Sequence, residues 1–167
     1  MKKSAIFYSF RSVKSQQQAK KIIKAIDLPI EEVDLDTITK NVFLGFDNFV
    51  LAVPTWFDGE LPNYWDEFLP AIEEESFKGK KFALYGGGDQ KGYPENFVDG
   101  IGLMAEFLED REGKIVGMTS CEGYSFERSR AQRGDQFVGL ALDIENQSAL
   151  TKERIERWGQ QLNKEFK

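Results

Sequence analysis

Short apolar runs alternating with amphipathic helical stripes predict an α/β fold, a parallel sheet with helices on both faces. The run from Phe49 to Val53 is continuously apolar and stops at Pro54, the pattern of a strand buried on both sides. Stripes such as Ala19, Ile22, Ile23, Ile26 and Trp65, Phe68, Leu69, Ile72 recur at helical spacing between such runs. There is no internal repeat and no linker rich enough to divide the chain. Its 167 residues are therefore expected to form one domain, 1–167, long enough to bury a substantial core.

Ser4 to Phe10 reads as the first strand and Arg11 to Ser15 as a short polar loop. The helix that follows has Ser15, or Ser12 a turn earlier, as its N-cap, with Lys20, Lys21 and Lys24 toward solvent. Its first N–H groups and its dipole point back at the loop, where they can hold an anion. Pro29 to Leu35 forms a second strand, and Glu31, Glu32, Asp34 and Asp36 suit an exposed edge. Phe49 to Val53 is the third. The helix carrying Trp65 ends near Glu73-Glu74-Glu75, and Trp65 itself reads as core.

Lys81 to Tyr85 is a fourth strand, running into Gly86-Gly87-Gly88-Asp89-Gln90-Lys91-Gly92-Tyr93, where glycines let the backbone approach a ligand closely. Phe97, Ile101, Met104, Ala105 and Leu108 stripe the next helix, which Gly113 closes. A fifth strand begins at Lys114 to Met118, is interrupted by a polar segment from Thr119 to Gln136, and resumes at Phe137 to Leu142. A last helix from Thr151 to Phe166 buries Ile155, Trp158 and Leu162.

Composition excludes several classes of chemistry. With no histidine, the chain cannot run Ser-His-Asp or Cys-His catalysis or build a histidine-ligated metal site, so redox or transfer chemistry calls for an organic cofactor. A net charge of −6 argues against nucleic acid and for a basic protein partner. One cysteine, Cys121, forms no internal disulfide, and the Met-Lys-Lys start precedes only a short apolar strand. A reducing, cytoplasmic setting without membrane association is the expectation.

Right-handed crossovers allow the loops after the first, third and fourth strands to share one edge of the sheet, at a topological switch point. Ligands bind outside the carboxyl ends of such strands, and Thr55, Trp56, Phe57, Asp58 and Gly59 put two large aromatics there. A flat ligand is the natural occupant.

The residues Pro-Thr-Trp-Phe-Asp-Gly-Glu-Leu at 54–61 and Gly-Asp-Gln-Lys-Gly-Tyr-Pro-Glu-Asn-Phe at 88–97 resemble the two flavin loops of flavodoxins. The similarity extends through Phe-Val-Gly-Leu-Ala-Leu-Asp at 137–143 and Asn-Gln-Ser at 146–148, and the interrupting segment resembles the insertion of long-chain members. The resemblance implies a flavodoxin-like three-layer sandwich, a five-stranded parallel sheet of order 2-1-3-4-5 with its fifth strand interrupted. It implies one noncovalent FMN and low-potential electron transfer by a monomer, between a flavodoxin reductase and acceptor enzymes that dock on the acidic face. It does not imply substrate turnover by the protein itself.

By position, the resemblance places the flavin against Pro54, Thr55 and Gly59, with Trp56 over one face and Tyr93 over the other. Backbone from Gly87 through Gly88 to Asp89, with the Asp89 side chain, would meet the pyrimidine edge. The Phe57-Asp58 peptide would turn its carbonyl toward flavin N5 on one-electron reduction. Such a turn is expected to put Asp58 at positive φ, where aspartate is tolerated less well than glycine. Asp58, Glu60, Asp66, Glu67 and Asp89 would make the second electron the harder one to accept.

The phosphate loop departs from the family's Thr/Ser-x-Thr-Gly-x-Thr pattern. Here it reads Phe10-Arg11-Ser12-Val13-Lys14-Ser15, with Phe10 in place of a hydroxyl donor and Val13 in place of the glycine. Ser12, Ser15 and the helix N–H groups remain, and the cations Arg11 and Lys14 are expected to compensate for what is missing. Phe10 and Val13 favour a second reading, a flavodoxin-like binding or regulatory domain that has weakened or lost FMN. The presence of Trp56, Asp89 and Tyr93 opposes it. A third reading, an NAD(P)H:quinone reductase on the same fold, lacks a second nucleotide motif. In the insertion, Arg128, Arg130 and Arg133 lie near Tyr124 and Phe126, a cluster suited to a solvated loop, to a partner, or to pairing with nearby carboxylates.

Overall fold

A computed structural model describes residues 2–167. β1 (Ser4–Tyr8) is buried along its whole length and ends two residues earlier than Phe10, because Ser9 and Phe10 turn away to bond Asp36 and Asp34. α1 (Val13–Ala25) follows with Ser12 as its N-cap, the Ser12 Oγ accepting the Ser15 N–H at 3.2 Å. β2 (Glu31–Asp34) comes next. α2 (Lys40–Leu44) was not legible in the sequence, since five residues are too few to display a helical period. β3 (Asn48–Ala52), α3 (Asn63–Ile72), β4 (Lys81–Gly87) and α4 (Asp99–Glu109) then alternate as expected.

All strand pairs of the main sheet are parallel, in the order β2-β1-β3-β4-β5, and β2 is the edge that its carboxylates suggested. β5 (Lys114–Val116) pairs with Lys81–Ala83 of β4. The segment between holds β6 (Thr119–Ser120), β7 (Gln132–Arg133) and β8 (Gln136–Phe137), a small antiparallel sheet of order β6-β8-β7. β9 (Leu140–Leu142) then returns to pair with Tyr85–Gly87, so two segments share the fifth position. α5 (Ile144–Gln147) and α6 (Thr151–Glu165) complete the chain.

Period-2 alternation assigns each strand residue to one of two cores. Ala5, Phe7, Phe49, Leu51, Phe82 and Leu84 face a cluster with Phe43 of α2, Trp65 of α3 and Met104 of α4. Ile6, Tyr8, Val50, Ala52, Ala83 and Tyr85 face the other, under α1 and α6. In-register pairing of Phe49 with Phe82 stacks their rings at 4.5 Å, and Phe43 packs on Phe7 and Phe49. That aromatic packing, worth about 0.5–1.5 kcal/mol per pair beyond area burial, holds the short α2 in place. Trp65 is fully buried and its Nε1 donates to the Ala52 carbonyl at 2.9 Å, the core role read from its spacing.

Candidate functional site

The loops after β1, β3 and β4 meet at one edge of the sheet, and Trp56 borders two adjoining clefts there. One, of about 330 Å³, is walled by Trp56, Phe57, Tyr93, Phe97 and Val98 with Gly88 and Asp89. The other, of about 430 Å³, is lined by Arg11, Ser12, Lys14 and Ser15 together with Pro54, Tyr64 and Gly87. Trp56 and Tyr93 are 36% and 52% exposed, which leaves ring faces open to a ligand.

The loop after β3 is tightened by a two-way bridge, Trp56 N–H to Glu60 O and Glu60 N–H to Trp56 O, both 2.7 Å. Only three residues then reverse the chain, and left-handed backbone falls on Phe57 (φ 52°) and Gly59 (φ 98°). Asp58 does not have positive φ in this turn; positive φ at Asp58 is the expectation for the peptide reversed on one-electron reduction. The bridge fixes both ends of the turn, so the reversal begins one residue earlier. A bulky aromatic in the left-handed region is uncommon, and Phe57 holds it while 71% exposed. Gly59 leaves no room for a side chain, since a Cβ would lie 2.8 Å from Asp99 Oδ2. Thr55 Oγ1 accepts the Gly100 N–H at 2.9 Å and ties this loop to the start of α4.

Near the end of β4, Gly86 lets the backbone pass Val53, whose carbonyl would stand 2.1 Å from any added Cβ. Asp89 Oδ1 accepts N–H groups from Gly92 (2.8 Å) and Lys91 (3.1 Å) and the Asn146 amide (2.7 Å). The Gly92 bond first, then Asn146, hold its carboxyl below the usual range. Its oxygen therefore shapes the turn that presents Tyr93, as well as lining the cleft. Behind it, buried Asp143 accepts from Gln90 and Asn146. Burial would raise the Asp143 pKa, yet these bonds outweigh it and hold it low.

The other cleft is less generous with donors. Ser9 Oγ donates to Asp36 Oδ2 (2.6 Å) and the Phe10 N–H to Asp34 Oδ1 (3.1 Å), so two groups beside the helix start are committed to carboxylates. Phe10 leans on Tyr8, ring centroids 4.9 Å apart, and Val13 is 67% exposed. Arg11 and Lys14 both line the cleft; Lys14 also meets Glu145 at 3.6 Å in a solvent-exposed pair of small energetic weight.

Tyr64, Gln18, Asp36, Asn96 and Val98 also line the clefts and were not singled out by sequence reasoning. Tyr64 lies one residue before the core Trp65, an offset that could have signalled a side chain turned toward the loop. Val98, β-branched at φ 47°, opens α4 and packs with Phe97 against Gly88. The arginines of the insertion stay largely solvated and lie beside carboxylates: Arg128 is 3.9 Å from Glu95, Arg130 3.9 Å from Asp99, and Arg133 Nη1 donates to Glu109 at 2.9 Å. Tyr124 and Phe126 pack on Phe97 and Phe137. Burial, then nearby Asp135, raises the Cys121 thiol pKa and makes it a weak nucleophile.

Taken together, an aromatic slot with glycine backbone adjoins a cleft holding two cations and two serine hydroxyls, a donor set that suits a planar ring with an anionic tail. The Flavodoxin family model matches residues 6–158. Flavodoxin 1 of Salmonella typhimurium is 38% identical over 165 residues, covering 98% of this chain and 94% of that protein. The flavodoxin of Trichodesmium erythraeum is 38% identical over 169 residues, covering 99% of each. Among solved structures, Fusobacterium nucleatum flavodoxin bound to flavin mononucleotide superposes with a TM-score of 0.92 at 33% identity, covering 100% of both chains. The chain belongs to the flavodoxin family.

Proposed function

We propose that this protein is a low-potential one-electron carrier that works on noncovalently bound FMN, taking electrons from a reductase and delivering them to acceptor enzymes. The observation that carries the reading is the pair of clefts meeting at Trp56, one aromatic and one cationic, at the carboxyl ends of the strands. When bound, FMN supplies the redox chemistry. Trp56 and Tyr93 flank the ring and exclude water, while backbone at Gly88 and Asp89 meets its polar edge. The Phe57-Asp58 peptide lies at the tip of the bridged turn, where a carbonyl can rotate with little disturbance beyond Trp56 and Glu60.

Asp58 and Glu60 are exposed in the Trp56 loop, and Asp66 and Glu67 are exposed on α3, which follows it. They oppose the accumulation of a second electron and steer basic partner surfaces toward the site, an effect that weakens with salt. Arg11, Lys14, Ser12 and Ser15 hold the phosphate, largely by side-chain charge.

The test is FMN titration by fluorescence quenching across ionic strength. The parent is expected to lose affinity steeply with salt, and Arg11→Ala to bind up to about fivefold more weakly at low salt with a shallower slope, as an exposed ion pair of about 1 kcal/mol or less allows. Identical slopes overturn the cationic phosphate site. The commitment of Ser9 and Phe10 to Asp36 and Asp34 favours a second reading, a binding domain with weakened FMN affinity. A protein that is colourless as purified and leaves the fluorescence of added FMN unquenched selects that reading.

A further inference from the structure

Among the described residues, three of the seven buried polar side chains are tied to the Tyr93 loop and the start of α4 behind it. Gln90, Asp99 and Asp143 are 4%, 4% and 0% exposed, and all three bond across segment boundaries. The backbone N–H and Nε2 of Gln90 donate to Asp143 Oδ2 at 3.0 and 2.7 Å. Its Oε1 accepts the Ser125 N–H at 2.6 Å, from the insertion. Asn146 Nδ2 bridges Asp143 Oδ2 (2.9 Å) and Asp89 Oδ1 (2.7 Å). The insertion grips the same loop from outside: Glu127 and Arg128 N–H groups donate to the Pro94 carbonyl at 2.8 and 3.0 Å, and the Arg130 N–H to Asp99 Oδ1 at 2.8 Å. Its backbone passes so close to α4 that a Cβ on Gly102 would stand 2.3 Å from Arg130.

A buried amide satisfied at both ends specifies one position, where an apolar side chain would tolerate several. Tyr93 itself is half exposed and has no side-chain hydrogen bond among the described residues, so its place depends on the backbone beneath it. We propose that Gln90 is a positioning residue for the flavin, and that the insertion works through it as a clamp that fixes the Tyr93 loop. This rests on the FMN reading above, and it gives the insertion a role inside the protein, separate from any partner.

FMN affinity, the visible circular dichroism of the bound flavin, and amide exchange at Gly92 and Tyr93 in the ligand-free protein test the clamp. Gln90→Leu is expected to weaken FMN at least tenfold, alter the flavin dichroism and speed exchange at both amides. Arg133→Ala, which removes only a solvent-exposed ion pair to Glu109 and leaves the Ser125 and Pro94 contacts in place, should bind FMN within twofold of the parent. If Gln90→Leu lowers the melting temperature yet keeps FMN affinity within twofold and an unchanged flavin spectrum, the clamp is overturned and Gln90 is merely structural. Should Gln90→Leu fail to fold, Gln90→Glu decides. It sets a second carboxylate against Asp143, so affinity should recover as pH falls and the pair takes up a proton, and a profile parallel to the parent's overturns the proposal. A parent that binds no FMN refutes the flavin reading instead, and amide exchange in the ligand-free variants then decides the clamp alone.

Discussion

The two clefts that meet at Trp56 are built on different physical terms. The aromatic cleft is held by short-range structure: the Trp56–Glu60 bridge, the Thr55–Gly100 tie, and the hydrogen-bonded turn around Asp89. Its walls are fixed before any ligand arrives. The cationic cleft rests on long, exposed side chains, and two of its nearest donors already serve Asp34 and Asp36. Preorganisation therefore dominates in the aromatic cleft, proposed for the flavin ring, and screened charge in the cationic one, proposed for the phosphate.

The sharpest way to break this comparison is by truncation at each end. Trp56→Ala and Tyr93→Ala are each expected to cost about 1–3 kcal/mol of FMN affinity, the scale of one base stacked on one aromatic ring, hence roughly 5- to 150-fold in the dissociation constant. Phe10→Ala and Val13→Ala should change it by less than about threefold, because both side chains point to solvent or to Tyr8. Calorimetric titration of the four variants checks this, and equal losses at both ends would erase the distinction.

The acid limb of stability sharpens the ring end further. Asp89 and Asp143 have depressed pKa values, so each contributes stability above the unfolded-state value near about 4, and that contribution disappears as pH falls through the native value. Urea midpoints of the ligand-free protein should fall toward pH 3. Asp143→Asn should be less stable at pH 6 and show a flatter acid limb, the two curves converging at low pH. Parallel curves would mean that Asp143 does not carry the effect.

A modest, salt-dependent change tests the phosphate end. Asp36 lines the cationic cleft and presents a like charge to a phosphate. Asp36→Asn should tighten FMN by up to about fivefold at low salt and negligibly at high salt, as an exposed interaction of about 1 kcal/mol or less allows. A loss of affinity instead would show that the Ser9–Asp36 bond shapes the loop more than its charge opposes the ligand.

Much of this molecule was legible because alternation and helical spacing are local properties. Phe49 to Val53, the stripes around Ile22 and Trp65, and the interruption after Met118 each announce themselves within a few residues. So do the two aromatic loops, whose glycines and turn residues are consecutive. The sequence by itself determined that alternate strand residues face opposite sides and that each helix stripe faces inward, because the pleat and the helix period leave no choice once a segment is buried.

Only tertiary structure decided the rest. α2 exists because Phe43 finds Phe7 and Phe49. Positive φ lands on Phe57 rather than Asp58 because Trp56 and Glu60 bond each other. Ser9 and Phe10 lose donors to carboxylates more than twenty residues away, and Gln90 links Ser125 to Asp143 across gaps of 35 and 53 residues. Such contacts follow from where the chain returns in space, and a hydrogen bond over that separation leaves no periodic trace in the sequence.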